Sequence, residues 1–449
     1  MVPFDGVNFM DNIVVVGYGT SGKTAALFAA KSKDKPKITV IEKRDRIFNH
    51  PCSLPYILDG SASAGVLKKS DRVPEKFELV KGDAKKIKPS TLEVIVKTEE
   101  GYLSVNYDKL IIATGSLPVI PPVPGVGYKG VFKFKDVSDL EEILSWMKSS
   151  SRVAIIGASV TGLEVALTIR KAVKSVYLIE MFDMPLHDRL DRDMAEILVE
   201  KISDKVHLKL RSPLKQIAGV NGKVSEITVG GETIPVDMVI LTTGVKPNIS
   251  LAESAGLRIG DLGGIIVDRK MRTSIKQIYA CGDCVETFDI VSGRRTLSML
   301  ATSAVRQGIV AGINAAGGSV EYKGSASPYV IKAGDIEIGA VGLTEKNATK
   351  AGFKVFSSRY TCWSKPWYIK DSGKITLKLV FSADEGIILG GQAIGRDIYP
   401  RISVVSLAVN QRLKFSDLED LEIPYNPAFS NYLDPINVAS NLARSKLAG

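Results

Sequence analysis

The sequence predicts an α/β chain with two Rossmann-like dinucleotide-binding domains and a C-terminal α+β domain behind them. Three observations predict it. An apolar strand, a glycine turn, a helix and a second strand ending in glutamate occur twice, around "GYGTSG" and "GASVTG". Each copy is followed by an apolar strand closing on Thr-Gly, "LIIATG" and "VILTTG". Beyond Ser325, "IEIGAVGLTEKNATKAGF" and "ITLKLVFSADEGIILGGQAIG" alternate like strands around a helix and carry no glycine fingerprint.

The first turn, "GYGTSGKT", satisfies two phosphate signatures, G-x-x-x-x-G-K-[ST] and G-x-G-x-x-G. Both rest on backbone N–H groups and a helix N-terminus closing on phosphate oxygens. A nucleotide hydrolase would need Lys23 and Thr24 on phosphate and Mg²⁺, with an Asp ending another apolar strand. Asp108 instead precedes the strand "KLIIATG". A dinucleotide site needs an acid about 20 residues on, and "ITVIE" ends in Glu42. Gly17, Gly19, Thr20, Ser21 and Gly22 are therefore expected to cradle a pyrophosphate, with Glu42 and the adjacent Lys43 at the ribose.

The second turn has Gly157, Ser159 and Gly162, and its next strand, "SVYLIE", ends at Glu180. Ser159 replaces the middle glycine with a side chain small enough to crowd the phosphates only modestly. A hydrolase has no use for a second fingerprint. Two dinucleotides make chemical sense as a flavin and a nicotinamide donor. The turns at Ala113-Thr114-Gly115 and at Gly244 are read as lying close to bound nucleotide. In "IYACGDCVE", the Gly282-Asp283 turn offers a carboxylate to ribityl hydroxyls, and the helix start at Ala301-Thr302 faces the cofactor.

Composition bounds the rest. Apolar residues make up 45% and charged residues 24%, as in ordinary globular proteins. No apolar run approaches the roughly 20 residues that span a bilayer, and "MVPFDGVNFMDN" lacks the order of a signal peptide. A cytoplasmic protein without membrane contact is expected. The net charge of +10 is dispersed, which suits a solvated surface better than nucleic acid. Four cysteines, at 52, 281, 284 and 362, do not make a disulfide scaffold, and no metal site is predicted.

Through "GYGTSG", "ATGSLP", "GASVTGLE", "IYACGDCVE" and "LATSAVRQGIVAGINAAGG", the chain resembles the FAD-dependent pyridine nucleotide-disulfide oxidoreductases. "PCSLPYILDG" and "YNPAFSNYLDPINVASNLA" are similar to the single-cysteine group of coenzyme A-disulfide reductases, NADH oxidases and persulfide reductases. The resemblance implies an FAD domain at 1–118 and 245–324, an NAD(P) domain at 119–244, and a dimerisation domain at 325–449. It implies a homodimer in which Tyr368 and Tyr425 of one chain assist the redox cysteine of the other, and it places Glu164 near the nicotinamide. Members that reduce peroxide, or oxygen to water, usually carry histidine where Thr20 stands. The segment after Tyr56 is shorter than in relatives, where coenzyme A would lie, and Phe48 and Pro51 replace the usual Ser and Asn.

Dithiol members carry a second cysteine where Ile57 stands here. Cys52 is therefore expected to act as a single redox thiol, forming a mixed disulfide, persulfide or sulfenic acid. A helix N-terminus should lower its pKa from about 8.5. Cys281 and Cys284 are explained by packing around the Gly-Asp turn, while Cys362 has no visible partner and His50 stands near Cys52. The expected activity is FAD-dependent reduction of a disulfide or sulfane sulfur by NAD(P)H. Coenzyme A disulfide is the first acceptor, persulfide or polysulfide the next, and oxygen the oxidase alternative. NADH is preferred over NADPH because Glu180 would repel a 2′-phosphate. A membrane quinone reductase is more remote, since the Pro-interrupted tail is no membrane-seeking helix.

Overall fold

The computed structural model describes residues 11–47, 51–63, 65 and 71–447. Phe48 and His50 lie outside them. Five parallel strands form the first sheet, in the order Ile278–Ala280, Lys109–Ile112, Asn12–Val16, Lys37–Glu42 and Glu78–Lys81. Its central strands are continuous apolar runs because both faces of such a sheet are covered: helices Thr20–Ala29 and Ala301–Ala315 pack on it, and Ile87, Val94 and Val96 of the antiparallel strands Asp83–Lys88 and Glu93–Lys97 share its core. Ile13, Val14, Val15, Leu110 and Ile111 are fully buried.

The second sheet repeats the plan with His207–Lys209, Ser175–Ile179, Arg152–Ile156, Met238–Leu241 and Val131–Lys133. The helices Thr20–Ala29 and Val160–Ile169 follow the two glycine turns. Strands Ser116–Pro118 and Val245–Pro247 pair antiparallel and join the two halves.

The C-terminal domain is a five-stranded antiparallel sheet, in the order Tyr329–Ala333, Ile336–Gly342, Ile388–Gly395, Lys374–Ser382 and Val355–Trp363. Helices Ile398–Gln411 and Pro435–Leu447 supply Ile402, Val405, Ile436 and Ala439 to a core with Leu377, Leu379 and Phe381. This is the α+β unit that the alternating pattern predicted.

Two packing features set up the site. Gly308 and Gly312, on helix Ala301–Ala315, sit so close to helix Thr20–Ala29 that a Cβ would collide with the Ser21 and Ala25 carbonyls. The long helix is thereby pressed, at Gly308, against the first glycine turn. Leu54, Ile57 and Leu58 of the short helix Leu54–Leu58 share a buried cluster with Leu163 and Leu167 of the second nucleotide helix and with Ile331 and Ile338. That cluster anchors the segment following Cys52.

Buried Lys378 joins the second sheet's domain to the C-terminal one. Its Nζ lies 3.2, 2.8 and 2.9 Å from carboxylate oxygens of Asp191, Asp193 and Glu345. Among the described residues, no helix is long and apolar enough to cross a membrane.

Candidate active site

The two glycine turns are built alike, and most of their glycines answer to the protein itself. Gly17, at φ +90°, could not carry a Cβ without placing it 2.5 Å from the Ala113 carbonyl oxygen. Gly22 would drive a Cβ into the Gly17 carbonyl, and Gly162 would do the same to Gly157. Gly19 differs, since a Cβ there would meet nothing within 4 Å. The protein leaves that space open at the start of helix Thr20–Ala29, whose N-cap is Gly19, with no side-chain cap and no acidic residue in its first turn. A helix start without an acidic residue, beside an open glycine, fits a pyrophosphate.

Ser159 does not intrude on the second turn. Its Oγ donates to the Thr242 carbonyl at 3.0 Å and accepts from the Gly162 N–H at 3.3 Å, so it caps its own helix. Ser21 is likewise turned inward and donates to the Cys281 carbonyl at 3.3 Å.

Glu42 and Glu180 are held by the same device. Glu42 accepts from the backbone N–H of Tyr18 and Arg44 at 2.8 and 2.9 Å; Glu180 accepts from Ala158 and Phe182 at 2.8 and 3.0 Å. Glu42 also takes the Arg44 guanidinium, Nε at 3.0 and Nη2 at 2.7 Å. Burial opposes its charge, but Arg44 and the two N–H groups more than offset that and hold the carboxyl below its ordinary range. Lys43, expected at the ribose, has its Nζ 3.9 Å from Asp83, and the cation that meets the Glu42 carboxylate is Arg44.

Lys23, which the hydrolase signature would put on phosphate, pairs with Asp71 at 2.7 Å. Asp108 accepts from the Asn12 N–H at 2.7 Å, at the strand's far end from the turn. Neither residue is placed for nucleotide hydrolysis.

At the centre of the site, Lys135 Nζ donates to Ser116 Oγ at 2.6 Å and Ser116 Oγ donates to Asp283 Oδ2 at 2.8 Å. Burial lowers the Lys135 pKa, with Asp283 and Asp136 opposing it. Gly282, at φ +88°, donates its N–H to Gln307 Oε1 at 2.7 Å, tying the Gly-Asp turn to the long helix. Sequence reading missed Lys135 and Ser116. Only the three-dimensional pairing distinguishes Lys135 from the other cations in "FKFKD".

Cys52 sits in the 3₁₀ turn Pro51–Ser53 and is exposed. Its pKa is raised, which corrects the expected depression. Burial of the sulfur's surroundings is the largest cause, and the Glu164 and Asp283 carboxylates add to it. The residue is surface-accessible, yet its sulfur has protein and negative charge on the inner side. A helix of five residues follows it, too short for its dipole to overcome that. Glu164, on the second nucleotide helix, is itself raised to about 7 by burial.

Cys281 and Cys284 are fully buried free thiols whose pKa values burial pushes up, that of Cys284 to about 11. They fit the packing role. Burial also raises Cys362 to about 11. Tyr368 and Tyr425 are exposed on the C-terminal domain, edge-on to Trp367 and Tyr432 respectively.

Residues 11–308 match the model of the pyridine nucleotide-disulphide oxidoreductase family, and 329–435 match that family's dimerisation domain. The chain belongs to the pyridine nucleotide-disulphide oxidoreductases. It is an FAD-dependent oxidoreductase that works with a pyridine nucleotide, and the open first turn, Glu42 and Asp283 fit that flavin. An NADH oxidase of Methanocaldococcus jannaschii is 35% identical, over 97% of this chain and 99% of that one. An NAD(P)H coenzyme A polysulfide/persulfide reductase of Pyrococcus horikoshii is 32% identical, over 98% and 100%. The structure of an NAD-dependent persulfide reductase from A. fulgidus superposes with a TM-score of 0.93 at 31% identity, covering 98% of this chain and 84% of that one.

Proposed function

We propose that the protein carries two electrons from NADH to a sulfur–sulfur bond, with Cys52 as the redox thiol and coenzyme A disulfide as the first acceptor. One observation carries this reading. Cys52 is exposed beside Glu164 and Asp283, while Ile57, where a second thiol would stand, is buried in the core. Relatives that bear the name of persulfide reductase support it.

In this reading 1–118 and 245–324 form the FAD-binding domain, 119–244 the NAD(P)-binding domain and 325–449 the dimerisation domain. FAD held there would supply the two-electron chemistry that links a nicotinamide hydride to sulfur. Gly17, Gly19, Gly22, Glu42, the turn Ala113–Gly115, Asp283, Ala301 and Thr302 would hold it. Gly157, Ser159, Gly162, Gly244 and Glu180 would hold the nicotinamide dinucleotide, with Glu164 at its reactive end. NADH is preferred because buried Glu180 is fixed by two N–H groups and cannot swing away from a 2′-phosphate.

Cys52 must lose a proton before it attacks sulfur. Glu164 helps by holding one, since a carboxyl raised to about 7 is partly protonated at neutral pH and then no longer repels a thiolate. Lys135 balances Asp283 through Ser116. In a homodimer, Tyr425 and Tyr368 of the other chain would donate a proton to the departing thiolate.

The test compares acceptors side by side. Cys52→Ser should keep its flavin and lose turnover with coenzyme A disulfide, persulfide and polysulfide. A serine variant that reduced disulfides at the parent rate would refute the role of Cys52. Relatives named NADH oxidase support a second reading, in which oxygen is the acceptor; a parent that reduced oxygen alone would establish it.

A further inference from the structure

The helix Arg192–Ile202 runs along the junction between the second nucleotide domain and the C-terminal domain. Asp191 and Asp193, at its start, clamp Lys378. Its other end opens onto a cavity of about 170 Å³ lined by Lys201, Lys205, Lys374, Arg396 and Asp335. Four cations thus line it with one carboxylate, and that carboxylate is committed, with its oxygens 3.0 and 3.3 Å from Lys205 Nζ. Asp371, which also acts on Arg396, is paired with Lys365 at 2.6 Å. Among the described residues, Lys201, Lys374 and Arg396 have no carboxylate within ion-pair distance. Arg170, close enough to act on Asp335, has a buried Nε without a hydrogen-bond partner.

The helix dipole explains part of this cluster. Cations are favoured at a helix C-terminus, which accounts for Lys201 in the last turn and Lys205 just beyond it. It does not account for Lys374 and Arg396, which the sheet brings from the opposite wall. Lys374 opens one strand and Arg396 follows the neighbouring one, joined by Arg396 N–H donating to the Lys374 carbonyl at 3.2 Å. Two glycines make that approach possible. Gly395, at φ +137°, would drive a Cβ into the Lys374 carbonyl, and a Cβ on Gly373 would collide with the Arg396 side chain. Like charges held together across two domains repel unless an anion lies between them.

We propose that this cavity binds a diphosphate group and thereby ties the second nucleotide domain to the C-terminal domain. Paired cations on two facing walls match two linked phosphates better than one. The volume lies below the roughly 300 Å³ at which whole-ligand pockets begin, so the group enters alone or as the end of a larger molecule. The site is separate from both glycine turns, since none of their residues lines it.

The experiment titrates the holoenzyme with inorganic pyrophosphate by calorimetry, in the parent and in a Lys374→Gln/Arg396→Gln double variant. Orthophosphate and ADP are run as parallel arms. Flavin content verifies that the variant is folded, and Lys201→Gln, at a helix end, provides a milder second variant. The parent should bind pyrophosphate saturably and orthophosphate more weakly, and ADP should bind only if the group enters as the end of a nucleotide. The double variant should bind on the order of tenfold or more weakly, because charged hydrogen bonds are lost. Pyrophosphate should also raise the Tm of the parent and not of the double variant. Absence of saturable binding would overturn the proposal. Binding unchanged in both variants would place the phosphate in a dinucleotide turn and overturn it too. If the double variant fell from dimer to monomer yet bound pyrophosphate as before, the cations would belong to a subunit contact and the proposal would fail.

Discussion

Thr114 and Thr243 make the same hydrogen bond from opposite sides of the junction between the two nucleotide-binding halves. Thr114 Oγ1 donates to the Asn248 carbonyl at 2.7 Å, and Thr243 Oγ1 donates to the Val119 carbonyl at 2.7 Å. Each threonine opens a Thr-Gly turn, and each carbonyl belongs to the segment that has just crossed into the other half. The paired strands Ser116–Pro118 and Val245–Pro247 lie between them. The repeated Thr-Gly is thus a two-sided clasp on the crossover. Thr243→Val removes one donor and leaves a part-buried carbonyl without it, so stability should fall by about 1 kcal/mol. Thr114→Val should cost about the same, and urea denaturation of the two variants checks both.

The glycines of the first turn should separate folding from flavin binding. Gly22→Ala puts a methyl into the Gly17 carbonyl and should give little folded protein. Gly19→Val meets no protein atom within 4 Å at Cβ, so the chain should fold, yet lose FAD because the backbone approach to the pyrophosphate is blocked. Far-UV circular dichroism and flavin content of the two variants are the measurements. A folded, fully yellow Gly19→Val protein would contradict the assignment of that space.

Glu164 should give the enzyme a pH dependence near neutrality. Its folded pKa of about 7 lies above the unfolded value of 4.5. The proton is therefore bound more tightly in the folded state. Its contribution to stability is complete below about 4.5 and is lost as the pH rises through about 7. Glu164→Gln removes that loss, so its advantage over the parent should be near zero at pH 4 and grow to as much as about 3 kcal/mol at pH 8. The same substitution removes a negative charge beside Cys52. Alkylation of Cys52 at pH 7.5 should quicken in Glu164→Gln and slow in Lys135→Met, which leaves Asp283 less compensated.

What could be read in the sequence was whatever depends on backbone periodicity. The apolar strands, the two glycine turns and their terminal glutamates follow from local steric rules, and the structure assembles them as two parallel sheets. That Ser159 is small enough for its turn was legible, but that it caps the helix through the Gly162 N–H was not. The side-chain network was not legible. Lys135 is one of 59 Lys and Arg residues, and nothing in "FKFKD" reveals that its chain end meets Ser116 from another strand. The Arg44–Glu42 pair was not legible either, because which of two adjacent cations reaches Glu42 is decided by how the chain leaves the strand. The raised pKa of Cys52 was hidden by distance. Glu164 and Asp283 lie far from it in sequence, whereas the helix that suggested a depression is its immediate neighbour.

Subunit mixing tests whether the site is shared between chains. The exposed tyrosines of the C-terminal domain, Tyr368 and Tyr425, can meet Cys52 of another copy only if the dimer brings them there. Chains carrying Cys52→Ser are inactive towards disulfides in this reading. Chains carrying Tyr368→Phe and Tyr425→Phe together should be slowed by roughly 10²–10⁴-fold, the range for losing a general acid. Mixed dimers distinguish the two arrangements. If the tyrosines act across the interface, one of the two sites in a mixed dimer pairs an intact Cys52 with intact tyrosines, and the other lacks both. Random pairing of equal amounts makes half the dimers mixed, so about a quarter of the parent activity should return. If the tyrosines act within their own chain, no mixed dimer contains a complete site, and mixing restores nothing. Disulfide reductase rates of the two variants, assayed separately and after co-expression, give the result. Activity that rises on co-expression has no source within a single chain, whereas a rate equal to the mean of the separate variants would leave the tyrosines no role across the interface.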